Sequence, residues 1–121
     1  MARSNSAKSG SRGYVVVLVT CGSRREASRI ARRVVQERLA ACVNVLAAPI
    51  DSTYCWKGEV ETAREFLLLI KSSRRHLAAL RKEVERLHSY DVPEFIALPI
   101  AAGSPAYLSW LADCLGGPRR R

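Results

Sequence analysis

Two runs constrain this chain more than anything else in it. "VVVLV" at 15–19 and "FLLLI" at 66–70 are apolar at every position. A strand sends successive side chains to opposite faces, so a half-buried strand alternates apolar with polar residues. These two runs do not alternate. Both are short, with turn-forming residues beyond the first and a helical pattern after the second. They read as strands buried on both faces. Any fold for this chain must therefore cover the centre of its sheet from two sides.

The segments around them supply one cover. The first run belongs to a strand from Tyr14 to Thr20. Ser23 and Glu26 form a capping box, so a helix begins near Arg24, with Ala27, Ile30, Ala31, Val34 and Val35 on one face and arginines on the other. A second strand region starts at Val43 and is interrupted at Pro49, where a bulge or edge position is expected because proline cannot donate to a ladder. It resumes in "STYCW". Lys57-Gly58 then makes a tight turn into the long strand "EVETAREFLLLIKS", giving an extended hairpin. Ser72 or Ser73 caps a second helix whose stripe is Leu77, Leu80, Val84 and Leu87. "EFIALPI" is a fourth strand. A short last helix has Ser104 as cap, Pro105 at its first position, and Tyr107, Leu108, Leu111 and Ala112 on one face.

The order β-α-β-β-α-β predicts an α+β, ferredoxin-like sandwich: one antiparallel sheet, both long helices on one face, a long hairpin between the second and third strands, and a short C-terminal helix. The helices cover one face only. The other face must be covered by something outside the subunit, and a homo-oligomer is the simplest cover.

The net charge of +9 raises the question of a nucleic-acid partner, and its distribution answers it. Six of the 20 basic residues lie in the ends, at Arg3, Lys8 and Arg12 and at Arg119, Arg120 and Arg121; the body keeps 14 basic against 11 acidic residues. The charge is read as a feature of the ends, not of a folded basic face. The expected organisation is a disordered leader at 1–13, one domain at 14–115 and a basic tail at 116–121. No run approaches the ~20 apolar residues that span a bilayer, and "MARSNSAKSGSRG" has no apolar signal core, so a cytoplasmic location with no membrane partner is expected. Cys21, Cys42, Cys55 and Cys114 show no C-x-x-C spacing and are read as reduced thiols, with Cys42 a small buried hydrophobe.

"ERLAACVNV", "YCWKGEVE" with Glu65 and Lys71 downstream, "YDVPE", "ALPI" and "YLSWL" occur in an order and spacing that resemble the CutA family of divalent-cation tolerance proteins, from about Tyr14 to Leu115. The resemblance implies a tight trimer in which the hairpins extend sheets between neighbours. It also implies a role in tolerance of copper and other divalent metals. It further suggests a likeness to PII-type signalling proteins, which bind small effectors in clefts between subunits.

"LHSYDVPE" at 87–94 is the leading candidate site. Each residue has a bland role: His88 in the last helical turn, Asp91 and Pro93 in a turn. His88 imidazole and Glu94 carboxylate are also fit to share a divalent ion, since imidazole suits copper and zinc. In the family pattern the corresponding His and Glu are the candidate metal ligands, within His-Pro-Tyr where this chain has His88-Ser89-Tyr90. A strand-end cysteine associated with copper in some members matches Val19 here. Cys21, two residues on and expected at the turn beyond the strand, is the third candidate, its thiol pKa lowered by the helix N-terminus and by Arg24 and Arg25. Tyr54 and Trp56 share a strand face, read as subunit packing or as the wall of an inter-subunit cleft with Glu59, Glu61 and Tyr90. Glu65 shares the face of Glu59 and Glu61, and Lys71 is expected to pair with a carboxylate.

Other functions fit less well. A cysteine nucleophile needs a base within reach, and only His76 and His88 exist. "CGSRRE" is not the phosphate-cradling loop of an acylphosphatase. "EFLLLIK" lacks the aromatics of an RNA-binding sheet, so no specific nucleic-acid partner is expected. The chain is read as a non-enzymatic homotrimer that binds divalent cations, copper first. The alternative is a PII-like module for a small effector or a protein partner.

Overall fold

The two uniformly apolar runs become neighbours at the centre of one antiparallel sheet. The computed structural model describes residues 13–116. In chain order the elements are β1 (Tyr14–Cys21), α1 (Arg24–Gln36), β2 (Cys42–Val45), β3 (Ile50–Trp56), β4 (Glu59–Ser73), a 3₁₀ turn (Arg74–His76), α2 (Leu77–Leu87), β5 (Ile96–Pro99) and α3 (Pro105–Cys114). The sheet order is β2-β4-β1-β5, with β3 also on β4. This is the expected ferredoxin-like plan, with both long helices and a short C-terminal one.

Alternation sorts the central strands. Val15, Val17, Val19 and Cys21 of β1 face Ser72, Ile70, Leu68 and Phe66 of β4. They pack with Ala27, Ile30 and Val34 of α1 and Leu80, Val84 and Leu87 of α2 into one core. The expected faces are narrower in fact: Val35 is exposed and Ala31 half-buried. On the opposite sheet face Val16, Leu18, Leu67 and Leu69 are only half-buried. Their β5 neighbours Ile96 and Leu98 stay 48% and 47% exposed. Among the described residues no element shields these two.

The second strand region divides at Pro49. Val45 pairs Leu68 and Ile50 pairs Glu65, so five steps on one side match three on the other. Two extra residues are thus extruded, the bulge that Pro49 implied. Beyond it β3 and the first half of β4 run past the end of β1, which pairs only with 66–73. The hairpin closes with Lys57 at φ 53° and Gly58 at φ 82°, as a two-residue I′-type turn requires.

Several local expectations need correction. Neither Ser72 nor Ser73 caps α2 through a backbone N–H: Ser72 Oγ donates to Leu39 O at 2.7 Å, and Ser73 Oγ bonds His76 Nδ1 at 2.7 Å. The 3₁₀ turn takes up the helix start instead. In α3, Leu108 and Leu111 are buried but Tyr107 and Ala112 are exposed. Cys42 is half-buried in β2, and Lys71 Nζ donates to the Asn44 side-chain amide, not to a carboxylate. Residues 1–12 and 117–121 lie outside the described residues. At the ends of the described residues the Gly13 carbonyl accepts from Arg74 N, and Gly116 N donates to Arg38 O at 2.8 Å.

The charge is also less even than the sequence suggested. Segments 24–37 and 74–87, the helical layer, hold ten basic and four acidic residues, so a folded basic face exists. Glu83 is its main internal brace. Its carboxylate lies 2.7 Å from Arg86 and 3.7 Å from Arg33, joining the two helices. The Arg86 hydrogen bond, offset in part by desolvation, lowers its pKa to about 2.

Arg38 joins α1 to α3. It sits at φ 61° beyond the end of α1, where Leu39 N bonds Val34 O and Arg38 N bonds Val35 O. That is the Schellman pattern, a position that favours glycine. A non-glycine residue there costs roughly 1–2 kcal/mol. The guanidinium offsets the strain by donating to the carbonyls of Asp113, Cys114 and Leu115 at the end of α3. Arg38→Ala is expected to lower stability by about 2–3 kcal/mol and Arg38→Gly by less, since glycine relieves the backbone while losing the same contacts. Chemical denaturation of the three proteins measures this; equal losses would show that the strain is negligible.

Candidate metal centre and adjoining cleft

β1 ends as it delivers Cys21 to the core, and Ser23 then starts α1 by accepting from Glu26 N at 3.1 Å. Half of the expected capping box forms. The Glu26 carboxylate does not return to the backbone of Ser23; it crosses to the 88–89 loop. Its Oε2 accepts from Ser89 N at 2.6 Å and its Oε1 from Ser89 Oγ at 2.9 Å. A proline at 89 has no N–H to offer, so the serine makes this clasp available.

His88 is the C-cap of α2 in an extended conformation, not a member of its last turn. Its buried ring spans two backbone groups. Nε2 lies 2.7 Å from the Thr20 carbonyl, and Nδ1 accepts from Tyr90 N at 3.1 Å. A carbonyl only accepts and an amide N–H only donates, so the partners select the neutral Nε2–H tautomer. Glu26 Oε2 lies 3.4 Å from the same Nδ1. A carboxylate oxygen and an imidazole lone pair this close offer adjacent ligand atoms to a cation.

Cys21 completes the arrangement. Ligand atoms of Cys21, Glu26 and His88 lie within 4.8 Å of one another, the only such group of three among the described residues. The donor set fits a metal of intermediate softness: thiol and imidazole suit copper and zinc, while the carboxylate supplies charge. Cys21 is not at a turn. It is fully buried, and burial first, then Glu26 and Glu65, push its thiol up to about 12, opposite to the lowering expected from the helix terminus. Val19 is equally buried in the core.

Next to this group, a cleft of about 740 Å³ lies between the hairpin and the 90–94 loop. Tyr54, Trp56 and Tyr90 line it, as do the carboxylates Glu61, Glu65, Asp91 and Glu94. Tyr90 OH donates to Glu65 at 2.8 Å, while its ring packs 4.7 Å from the His88 ring. Any side chain at Gly22 would meet Tyr90 OH at 3.2 Å, so glycine lets the ring close over the backbone. Tyr90 is thus the wall between centre and cleft. Desolvation and the Glu65 carboxylate raise its phenol pKa above the ordinary range; desolvation and Glu61 raise that of Tyr54.

The structure therefore brings Cys21 and His88 together but sets Glu94 in the cleft, apart from that group. Tyr54, Trp56, Glu61 and Tyr90 meet in the cleft, whereas Glu59 pairs opposite Trp56 near the hairpin tip and is not among its lining residues. Sequence reasoning missed two site residues. Glu26 was assigned wholly to helix capping, and Glu65, buried here, was read with its exposed neighbours.

Fold and site together define a ferredoxin-like α+β protein with a thiol, carboxylate and imidazole cluster beside an acidic, aromatic cleft. Residues 15–114 match the family profile described as CutA1 divalent ion tolerance protein. The chain is 46% identical over 101 residues to the divalent-cation tolerance protein CutA of Thermus thermophilus, covering 84% of this chain and 97% of that one. It is 47% identical over 99 residues to the chloroplastic protein CutA of Arabidopsis thaliana, covering 82% of this chain and 54% of that longer one. The solved structure of the Thermus thermophilus protein superposes with a TM-score of 0.83 at 46% identity, over 85% of this chain and 99% of that one. The chain belongs to the CutA1 divalent ion tolerance family. Among the described residues no helix is long and apolar enough to cross a membrane.

The raised Cys21 pKa has a direct readout. At pH 8 Cys21 is expected to be alkylated at least about a hundredfold more slowly than free cysteine, because the thiolate is the nucleophile. The Cys21 rate should rise with pH toward about 12. Mass mapping after timed iodoacetamide quenches decides it, and rapid Cys21 labelling at pH 8 would contradict the burial.

Proposed function

We propose that this chain is a non-catalytic, self-associating protein that binds divalent cations, copper first, in the tolerance response for which its family is named. The observation that carries the reading is the convergence of Cys21, Glu26 and His88 within 4.8 Å beneath the Tyr90 ring. Binding would require the Cys21 proton to leave and the Tyr90 N–H bond to His88 Nδ1 to open. Glu94, the carboxylate that the resemblance implies, remains a second candidate from the cleft side. A small effector in that cleft is the alternative reading, supported by its size and ring lining. A cytoplasmic setting accords with the four free thiols.

Self-association is supported by the uncovered sheet face and the protruding hairpin. On this reading three copies bury Leu18, Leu69, Ile96 and Leu98 against one another and receive each other's hairpins. Sedimentation of the unmodified chain is expected to give a trimer, and Leu69→Glu to dissociate it. A monomeric unmodified chain at micromolar concentration would overturn the assembly.

Copper titration of the reduced protein tests the centre. One ion per chain is expected, with affinity weakened at least about tenfold in each of Cys21→Ser, Glu26→Gln and His88→Ala, and little changed in Glu94→Ala. Affinity should also rise with pH, because the thiol must lose its proton. Binding unchanged in the first three variants would sink the assignment. Loss confined to Glu94→Ala would move the metal into the cleft.

A further inference from the structure

The helical layer carries more positive charge than its own acids balance. Nine of its ten basic residues are arginines, and its four acids are already committed. Glu37 holds Arg33, Glu83 holds Arg33 and Arg86, and Glu85 holds Arg81. Glu26 is turned to Ser89. A stripe on α1 is left over. Arg25, Arg29 and Arg32 follow one another at spacings of four and three residues, so they share one face of the helix. All three are exposed, while Ala27, Ile30 and Val34 on the other side of α1 are buried in the core. With the other described residues they form no ion pair or hydrogen bond. Three unneutralised cations thus lie within about 10 Å of helix axis.

Local stability does not account for them. Arg24 and Arg25 occupy the first turn of α1, where the helix dipole disfavours a cation. Like charges one helical turn apart also repel. The stripe is unfavourable within the chain, and an external anion relieves it.

The residue types narrow the class of anion. A guanidinium offers a planar fork of N–H groups that matches two phosphate oxygens, which an ammonium does not. A row of such forks on a rigid helix suits a polymer of phosphates better than a single one. Helices that settle on an anionic bilayer present an apolar face beside the basic one. The apolar face of α1 is committed to the core. Single-stranded nucleic acid stacks its bases on exposed rings, and α1 and α2 contain no Phe, Tyr or Trp. A duplex held by its phosphates needs neither feature. The layer also covers the sheet face opposite the uncovered one, so the proposed self-association leaves it accessible.

We propose that the helical layer binds the phosphate backbone of duplex nucleic acid without regard to base sequence, with Arg25, Arg29 and Arg32 at the centre of the contact. The inference goes beyond the metal reading and does not depend on it.

Fluorescence anisotropy of a short labelled DNA duplex, titrated with the full-length, reduced and metal-free protein, tests this. Binding is expected at about 50 mM salt, equal for two unrelated sequences. It should weaken roughly a hundredfold or more at about 200 mM, as neutralising four phosphates requires. The triple variant Arg25→Gln, Arg29→Gln, Arg32→Gln should weaken it at least about tenfold and reduce the salt slope by about three. Its side chains are exposed, and circular dichroism and sedimentation check that fold and assembly are kept. Arg119→Gln with Arg120→Gln and Arg121→Gln removes the same charge elsewhere and should cost less. No duplex binding overturns the proposal. So does an α1 variant that binds as the unmodified chain does, or a loss in the tail variant as large as in the α1 variant. Tighter binding to phosphatidylserine vesicles than to the duplex, lost in the α1 variant, would assign the face to a membrane and overturn it as well. Copper titration of the same variants reads the metal centre separately, so failure of either reading leaves the other standing.

Discussion

Everything in this fold depends on a mismatch between a sheet that is apolar on both faces and helices that cover only one. β1 and the second half of β4 lie side by side, with Val17 opposite Ile70 on the helical face and Leu18 opposite Leu69 on the other. The helical face is closed by α1 and α2, and its inward side chains are fully buried. Burial of apolar area at about 25 cal/mol per Å² stabilises this layer without help. The other face offers the same kind of side chain to solvent. The incentive to associate is therefore built into the same two strands that make the core.

The mismatch also sets where chemistry can occur. β4 is 15 residues long and β1 only eight, so half of β4 has no β1 partner and leaves with β3 as a free-standing hairpin. The corner where β1 stops is the corner where the hairpin departs. Cys21, the α1 N-terminus and the 88–94 loop all arrive there. Glu65 lies one residue beyond the β1–β4 register and is drawn into the same corner, accepting from Tyr90. Thr20 serves both regions, its carbonyl holding His88 and its residue lining the cleft.

The fold was legible because it is written in periodicities. The strands, the helices and a tight turn at Lys57-Gly58 follow from local spacing, and so does the uncovered face. The site was legible only in part, because its residues meet across long separations. Ser23-x-x-Glu26 satisfies a local rule, and that rule hides the crossing of Glu26 to Ser89, 63 residues away. The exchange of the family's proline for Ser89 was visible, but its meaning depends on which acid lies opposite. Cys21 was judged by its nearness to a helix start; its strand pairing with Phe66 buries it, and burial outweighs the helix terminus in setting its pKa. Arg38 gave no signal at all. A positive φ at an arginine makes sense only once the α3 carbonyls are in place around its guanidinium.

Centre and cleft lie either side of Tyr90, and they differ in how their ligand atoms are gathered. At the centre a cation competes with a proton bound at a thiol whose pKa is about 12. Only an ion with strong affinity for thiolate can offset that cost, so soft and borderline metals are favoured over magnesium or calcium. The cleft carboxylates form no comparable group of three among the described residues. Tyr90 ties the two together, since its N–H occupies His88 Nδ1 while its hydroxyl occupies Glu65. An ion that takes Nδ1 must release the Tyr90 backbone, and a ligand that takes Glu65 must release its ring.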